Sequence, residues 1–223
     1  MKKILYALLL VPTVVLAQET EEPFWALSLD AGVTDDILAS EFYTQLSSSI
    51  QVSGNLKEAN AQDVQIGLSR EFSFSEKPRR ARLGVEYARL KSEPVVTRLG
   101  KVSTITPLDL TLDIALLEGG YRFFQSDERS FELWGSVATG ISSFRNNGTV
   151  TIGSCRCLER TNEIDAVVRP SLEVLYRIND SLRIGLEVSH YWFEEKEVAD
   201  LYPRTQWEFI NFNAISATLR LNF

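Results

Sequence analysis

In eight segments between Trp25 and Phe223, apolar side chains recur at every second residue, and this period constrains the fold more than any other feature. Trp25, Leu27, Leu29, Ala31 and Val33 share one parity, while Ala26, Ser28, Asp30 and Gly32 share the other. A chain that alternates in this way forms strands with one apolar and one polar or small face. The same pattern predicts seven further strands, over about 63–74, 81–91, 109–124, 131–144, 164–178, 182–193 and 207–223. Each is close to or longer than the ~9–11 residues with which a tilted strand crosses a bilayer. After the first 17 residues, no run approaches the ~18 apolar residues of a membrane helix. If the chain crosses a membrane, it must therefore do so as a closed barrel, because only helices and barrels satisfy every backbone group in lipid.

The charges sharpen this reading. Those that fall on the less apolar parity of the strands are Asp30, Glu71, Arg82, Glu86, Glu118, Arg122, Glu132, Arg169, Glu173, Arg177, Arg183, Glu187 and Arg220. Acids and arginines nearly balance, and lysine is missing from the set. Arginine is the cation suited to fork-shaped pairing with carboxylates where water is scarce. On a lipid-facing wall at mid-depth an arginine costs about 2–4 kcal/mol, and turning these groups inward avoids that cost. The lumen of an eight-stranded barrel is just filled by side chains. The expectation is an interior packed with a salt-bridge and hydrogen-bond network, and not an open pore. Two arginines break the rule, Arg70 and Arg89, and strand four is expected to change parity near Leu116-Leu117.

Met1-Lys2-Lys3, the apolar stretch from Ile4 to Leu16 and the small Ala17 have the form of a secretory signal peptide. The apolar stretch, about 13 residues, is too short for a ~20-residue membrane helix. The expected division is a leader at 1–17 and one barrel domain at 18–223. Loss of Lys2 and Lys3 takes the formal charge from −7 to −9, which argues against nucleic acid as a partner. Export to an oxidising compartment makes Cys155 and Cys157 a candidate loop disulfide, closing so little chain that it stabilises little. Two thiols alone do not complete a tetrahedral metal site.

The connections alternate in length. Segments 75–80, 125–130 and 179–181 read as short turns, and 34–62, 92–108, 145–163 and 194–206 as long loops. This asymmetry is that of bacterial outer-membrane barrels, with both termini on the short-turn side. Aromatics gather at both ends of the strands, as two interfacial girdles would require. Trp25, Phe72, Phe74, Tyr121, Phe123, Tyr176 and Phe223 stand toward the turns, and Phe144, Tyr191, Trp192, Phe193 and Trp207 toward the loops.

In these features the chain resembles the small eight-stranded outer-membrane barrels of the OmpA, OmpX and opacity-protein type. Its sharpest match is the ending Leu219-Arg220-Leu221-Asn222-Phe223, which alternates and finishes on Phe. The resemblance implies that Leu219, Leu221 and Phe223 form a signal read by the barrel-assembly machinery. It also implies outer-membrane lipid and lipopolysaccharide as surroundings, a surface ligand at the long loops, and a role in adhesion or envelope integrity. Unlike in full-length OmpA, no peptidoglycan-binding domain is expected after the barrel.

Alternatives from other classes are a narrow channel, a lipid A-modifying enzyme, and a soluble barrel that carries an apolar ligand. His190 is the only histidine, and its neighbour Ser189 on the same strand points to the opposite face, so the two cannot pair directly. No catalytic residue is expected. The acids Asp35, Asp36, Glu41 and Glu58 of the first loop and Glu194, Glu195, Glu197 and Asp200 of the last read as a solvated rim, since their spacing matches no known calcium loop. No metal or cofactor is therefore expected. Asn147-Gly148 reads as a turn.

Overall fold

The computed structural model describes the backbone of residues 24–36, 41–47, 50–57, 60–73, 80–92, 95–96, 103–105, 110–126, 130–146, 149–152, 155–158, 161–193, 197–198, 204–208 and 211–223. The leader at 1–17, Phe74, the Asn147-Gly148 turn, and Glu58, Glu194, Glu195 and Asp200 lie outside the described residues, as do the side chains of Asp36, Glu41, Cys155, Cys157, Glu197 and Trp207.

Eight long strands close on themselves. They are Phe24–Asp36 (β1), Asn60–Ser73 (β2), Arg80–Ser92 (β3), Leu110–Gln125 (β4), Phe131–Asn146 (β5), Thr161–Asn179 (β6), Leu182–Phe193 (β7) and Phe212–Asn222 (β8). Each strand pairs antiparallel with the next, and β8 pairs with β1, giving an all-β, up-and-down antiparallel barrel of eight strands. At this closing seam Trp25 and Phe223 exchange backbone hydrogen bonds of 3.0 and 2.9 Å. The intervening segments are 74–79, 126–130 and 180–181 at one end, and 37–59, 93–109, 147–160 and 194–211 at the other.

Alternation of burial follows the sequence period. Along β2 every second residue is buried from Ala61 to Ser73, while Val64, Ile66 and Leu68 are exposed on the outer wall. The outer wall is apolar through its middle on every strand, for example Val85 on β3, Leu117 on β4, Val137 on β5, Leu172 on β6, Leu186 on β7 and Ile215 on β8. At ~3.3 Å per residue and a tilt of ~40°, the outward run from Phe131 to Ile141 rises about 25 Å, the height of a lipid-facing belt.

Three expectations need correction. Strand four does not change parity: Leu110, Leu112, Ile114, Leu116, Glu118 and Arg122 all face inward. What changes is the chemistry of the inward face, from apolar near the loops to charged near the turns. Its single irregularity comes later, between Arg122 and Phe124, where a bulge leaves Phe123 and Phe124 both exposed. The second correction concerns the loop-side girdle. Phe144 and Tyr191 are buried inside the barrel and Phe193 packs against that interior group, because all three share the inward parity of their strands. Trp192 does face outward. The third concerns strand eight, which begins at Phe212 and not at Trp207. The Asn211 side-chain oxygen accepts the Phe193 amide at 3.1 Å, ending the ladder there.

Residues Arg204–Glu208 instead join a second sheet, built only from the long connections. Its order is Glu197–Val198, Arg204–Glu208, Glu41–Ser47, Ile50–Lys57, Val95–Val96. A third sheet joins Cys155–Leu158, Thr149–Ile152 and Ser103–Ile105. The first connection thus pairs with the second and the last, and the second also pairs with the third.

Candidate functional site

The lumen holds the main constellation, and it is layered. Nearest the turns, Glu132 and Glu71 gather the arginines. Glu132 meets Arg122 at 3.0 Å, Arg177 at 2.8 Å and Arg183 at 3.0 Å. Glu71 pairs with Arg183 and lies 3.8 Å from Arg80. Above this, Glu173 receives Arg220 through Nε at 2.8 Å and Nη2 at 2.9 Å, and Arg82 through Nη1 at 2.5 Å. Arg82 also donates to Glu118 through Nε at 3.0 Å and Nη2 at 2.5 Å. In the third layer Arg169 pairs with Glu86, donates to Gln65, and lies 3.8 Å from Glu187. Asp30 is buried in register with Gln65 and Thr218.

Of the thirteen charged positions singled out by parity, all but Arg177 are buried, and Arg177 sits half-buried at the turn end. Each carboxylate of the two lower layers, Glu118 excepted, serves more than one arginine, which satisfies more of its lone pairs than an isolated pair would. Gly120 makes room for this. A Cβ there would lie 2.8 Å from Arg82 Nε, so a larger residue would displace that guanidinium.

Sequence reasoning missed Trp134, which is 0% exposed. Its indole N–H donates to Glu132 at 3.0 Å, and its ring lies 5.1 Å from the Arg82 guanidinium and 5.9 Å from that of Arg122. Its even number, shared with Glu132 and Ser136, was the available signal. Asp63 and Gln65, joined by a 2.6 Å hydrogen bond, follow the inward parity of Glu71 and were passed over as well.

Toward the loops the lumen becomes apolar. Leu90, Leu112, Ile114, Leu116, Phe144, Val167 and Phe212 form one buried cluster with Tyr191. Tyr191 and Phe212 stack at 4.7 Å, and Phe193 stacks on Phe212 at 5.5 Å. The lumen is thus divided, because near the loops the inward parity itself carries Leu, Ile and Phe.

His190 points outward and Ser189 inward, on opposite faces of β7. His190 Nδ1 lies 2.7 Å from Asn213 Oδ1, and Asn213 donates through its backbone and side-chain nitrogens to Asp35, each at 2.7 Å. Because the amide nitrogen faces Asp35, the oxygen faces the ring, which places a hydrogen on Nδ1. His190 also meets Trp192 edge-on at 5.2 Å. Among the described residues, His190 makes these contacts with Asn213 and Trp192. Arg70 and Arg89 stand on the outer wall at opposite ends. Arg70 lies over Trp25 at 5.8 Å and Phe72 at 5.5 Å near the turns, and Arg89 donates to Asp113 at 2.7 Å near the loops. Leu219, Leu221 and Phe223 share the outer face of β8, with Phe223 the most exposed at 71%. A concavity of about 830 Å³ lies on this outer wall, lined by Leu29, Ala31, Val64, Leu186, Ala217 and Leu219. Among the described residues, no group of three or more His, Cys, Asp or Glu is placed to hold a metal ion.

No protein-family model and no curated protein sequence matches the chain. Solved structures do resemble it. Neisserial surface protein A is 14% identical, with 91% of this chain and all of that chain covered and a TM-score of 0.46. The outer membrane protein OprG from Pseudomonas aeruginosa is 11% identical, with coverage of 93% and 99% and a TM-score of 0.48. Ail, the attachment invasion locus protein of Yersinia pestis, is 7% identical, with coverage of 88% and 98% and a TM-score of 0.39. The barrel itself stands on its own strand pairing.

Proposed function

We propose that this chain is an integral β-barrel of a bacterial outer membrane, non-catalytic, with a closed lumen and a structural or surface-interacting role at its loop end. The inside-out distribution of polarity carries this reading. An apolar belt about 25 Å tall faces outward, and arginine–carboxylate layers face inward. A soluble carrier needs the reverse, a polar wall around an apolar ligand cavity. The concavity at Ala31 and Ala217 opens on the outer wall.

The decisive experiment separates inner and outer membranes of expressing cells. The chain is expected in the outer-membrane fraction, soluble only in detergent, with heat-modifiable mobility on gels. Recovery in the detergent-free soluble fraction would overturn the assignment. Planar-bilayer recordings are expected to show no stable unitary conductance, and a steady conductance would sink the closed lumen. His190→Ala is expected to leave the mass of cellular lipid A unchanged, and a change lost in that variant would make the chain an enzyme. N-terminal sequencing of the mature protein is expected to begin at Gln18.

The outward set Leu219, Leu221 and Phe223 suits recognition by the assembly machinery, since it presents three alternating apolar side chains on one face of β8. Phe223→Ser is expected to lower the fraction of heat-modifiable, membrane-inserted protein.

A further inference from the structure

The outer wall is apolar to a definite height and then turns polar. On β3, β4 and β5, Val85, Leu117 and Ile141 are exposed apolar residues. Two outward positions closer to the loops on each strand, the same parity carries Arg89, Asp113 and Arg145. Arg89 Nε donates to Asp113 Oδ1 at 2.7 Å, Arg145 pairs with the other carboxylate oxygen, and Tyr87 donates its hydroxyl to Asp113 at 2.5 Å. The Asp113 side chain is 12% exposed, whereas Arg89 and Arg145 remain 54% and 50% exposed. Lys91 follows Arg89 on the outer face of β3, its backbone opposite Thr111. Two arginines therefore share one carboxylate, in a chain whose formal charge is −7.

This arrangement differs from the luminal pairs. Inside, arginines and carboxylates are buried together and carboxylates are shared. Here one carboxylate anchors two guanidiniums and leaves both half in the open. The excess positive charge sits just above the apolar belt, where the headgroups of the loop-side leaflet begin. On the opposite wall, among the described residues, Asp35, Asn213 and His190 form a cluster that contains no arginine or lysine. Guanidinium forks match the oxygens of a phosphate, and two of them converging on one point favour a doubly charged group over a zwitterion.

We propose that Arg89 and Arg145, oriented by Asp113, hold the phosphate of a phosphorylated lipid headgroup in the loop-side leaflet. The inference rests on the membrane assignment above. It gives the barrel a lipid contact of defined chemistry on one side of its wall.

The test uses the full mature chain, folded in a zwitterionic detergent and titrated with bisphosphorylated lipid A or its dephosphorylated form, with native mass spectrometry as the readout. The wild type is expected to bind the phosphorylated lipid about tenfold more tightly, the scale of one charge-assisted contact. The double variant Arg89→Gln/Arg145→Gln is expected to bind both forms alike, while Arg70→Gln at the turn end keeps the preference. If the glutamine variant does not fold, Arg89→Lys/Arg145→Lys is expected to keep a reduced preference, as charge without the fork would. A preference undiminished in the folded double variant would overturn the proposal. So would millimolar inorganic phosphate remaining bound to the wild type in place of the lipid, which would mark a free-anion site. Neither result would touch the membrane assignment, which falls only if the chain is soluble without detergent.

Discussion

The two halves of the lumen are filled by different physics. Toward the turns, Arg82, Arg122, Arg183 and Arg220 are held by directional contacts to Glu71, Glu118, Glu132 and Glu173. Toward the loops, Leu112, Ile114, Phe144 and Phe212 are held by packing alone. The first half needs every partner present, because a buried charge without its counterpart is far costlier than an absent pair. The second half tolerates changes of identity and punishes changes of volume. One barrel wall supports both, since the outer face stays apolar at mid-height whichever chemistry lies behind it.

This contrast is open to test, most severely at Glu173. Glu173→Ala takes the carboxylate from Arg220 and one of two from Arg82, and is expected to destabilise the folded barrel by roughly 3–5 kcal/mol in urea unfolding from detergent. A loss under about 1 kcal/mol would mean the charged half is not a cooperative network. In the apolar half, Leu112→Ala is expected to cost about 3 kcal/mol by the same measurement, through a cavity that salt does not affect. If that loss instead vanished, the loop-side cluster would be loosely packed. At the junction of ring and charge, Trp134→Phe keeps the bulk and removes the N–H to Glu132, with an expected cost of about 1 kcal/mol. The smallest effect is expected at Arg177, whose side chain is 22% exposed. Arg177→Gln should cost under about 1 kcal/mol, and 1 M salt should erase the difference from wild type.

The charged half was legible in the sequence because its two parities differ in kind. On β6, Arg169, Ser171 and Glu173 alternate with Pro170, Leu172 and Val174, and only one assignment avoids arginine in lipid. The apolar half was not legible by that rule. On β4, Leu110, Leu112, Ile114 and Leu116 alternate with Thr111, Asp113, Ala115 and Leu117, so the more polar set faces out. The rule assumes hydrocarbon outside, and Asp113 stands above it, where the wall is free to be polar. Phe144 and Tyr191 misled for the same reason, since a loop-side aromatic serves equally as girdle or plug until its strand's inward parity is followed to the end. The pairing between long connections was beyond reach, because Leu56 opposite Val96 and Gln206 opposite Tyr43 are long-range registers that no local pattern announces.

The seam between Trp25 and Phe223 has a kinetic consequence. Every other neighbouring pair joins strands adjacent along the chain, so hairpins can zip in order, but the pair that completes the ring joins the first strand to the eighth. Until that pairing forms, β1 and β8 each present an open edge of unmet amides and carbonyls, the template on which β proteins aggregate. Ring closure is therefore both the slowest contact to find and the one that removes the hazard. The chain has most need of a chaperone in the interval before those two strands meet.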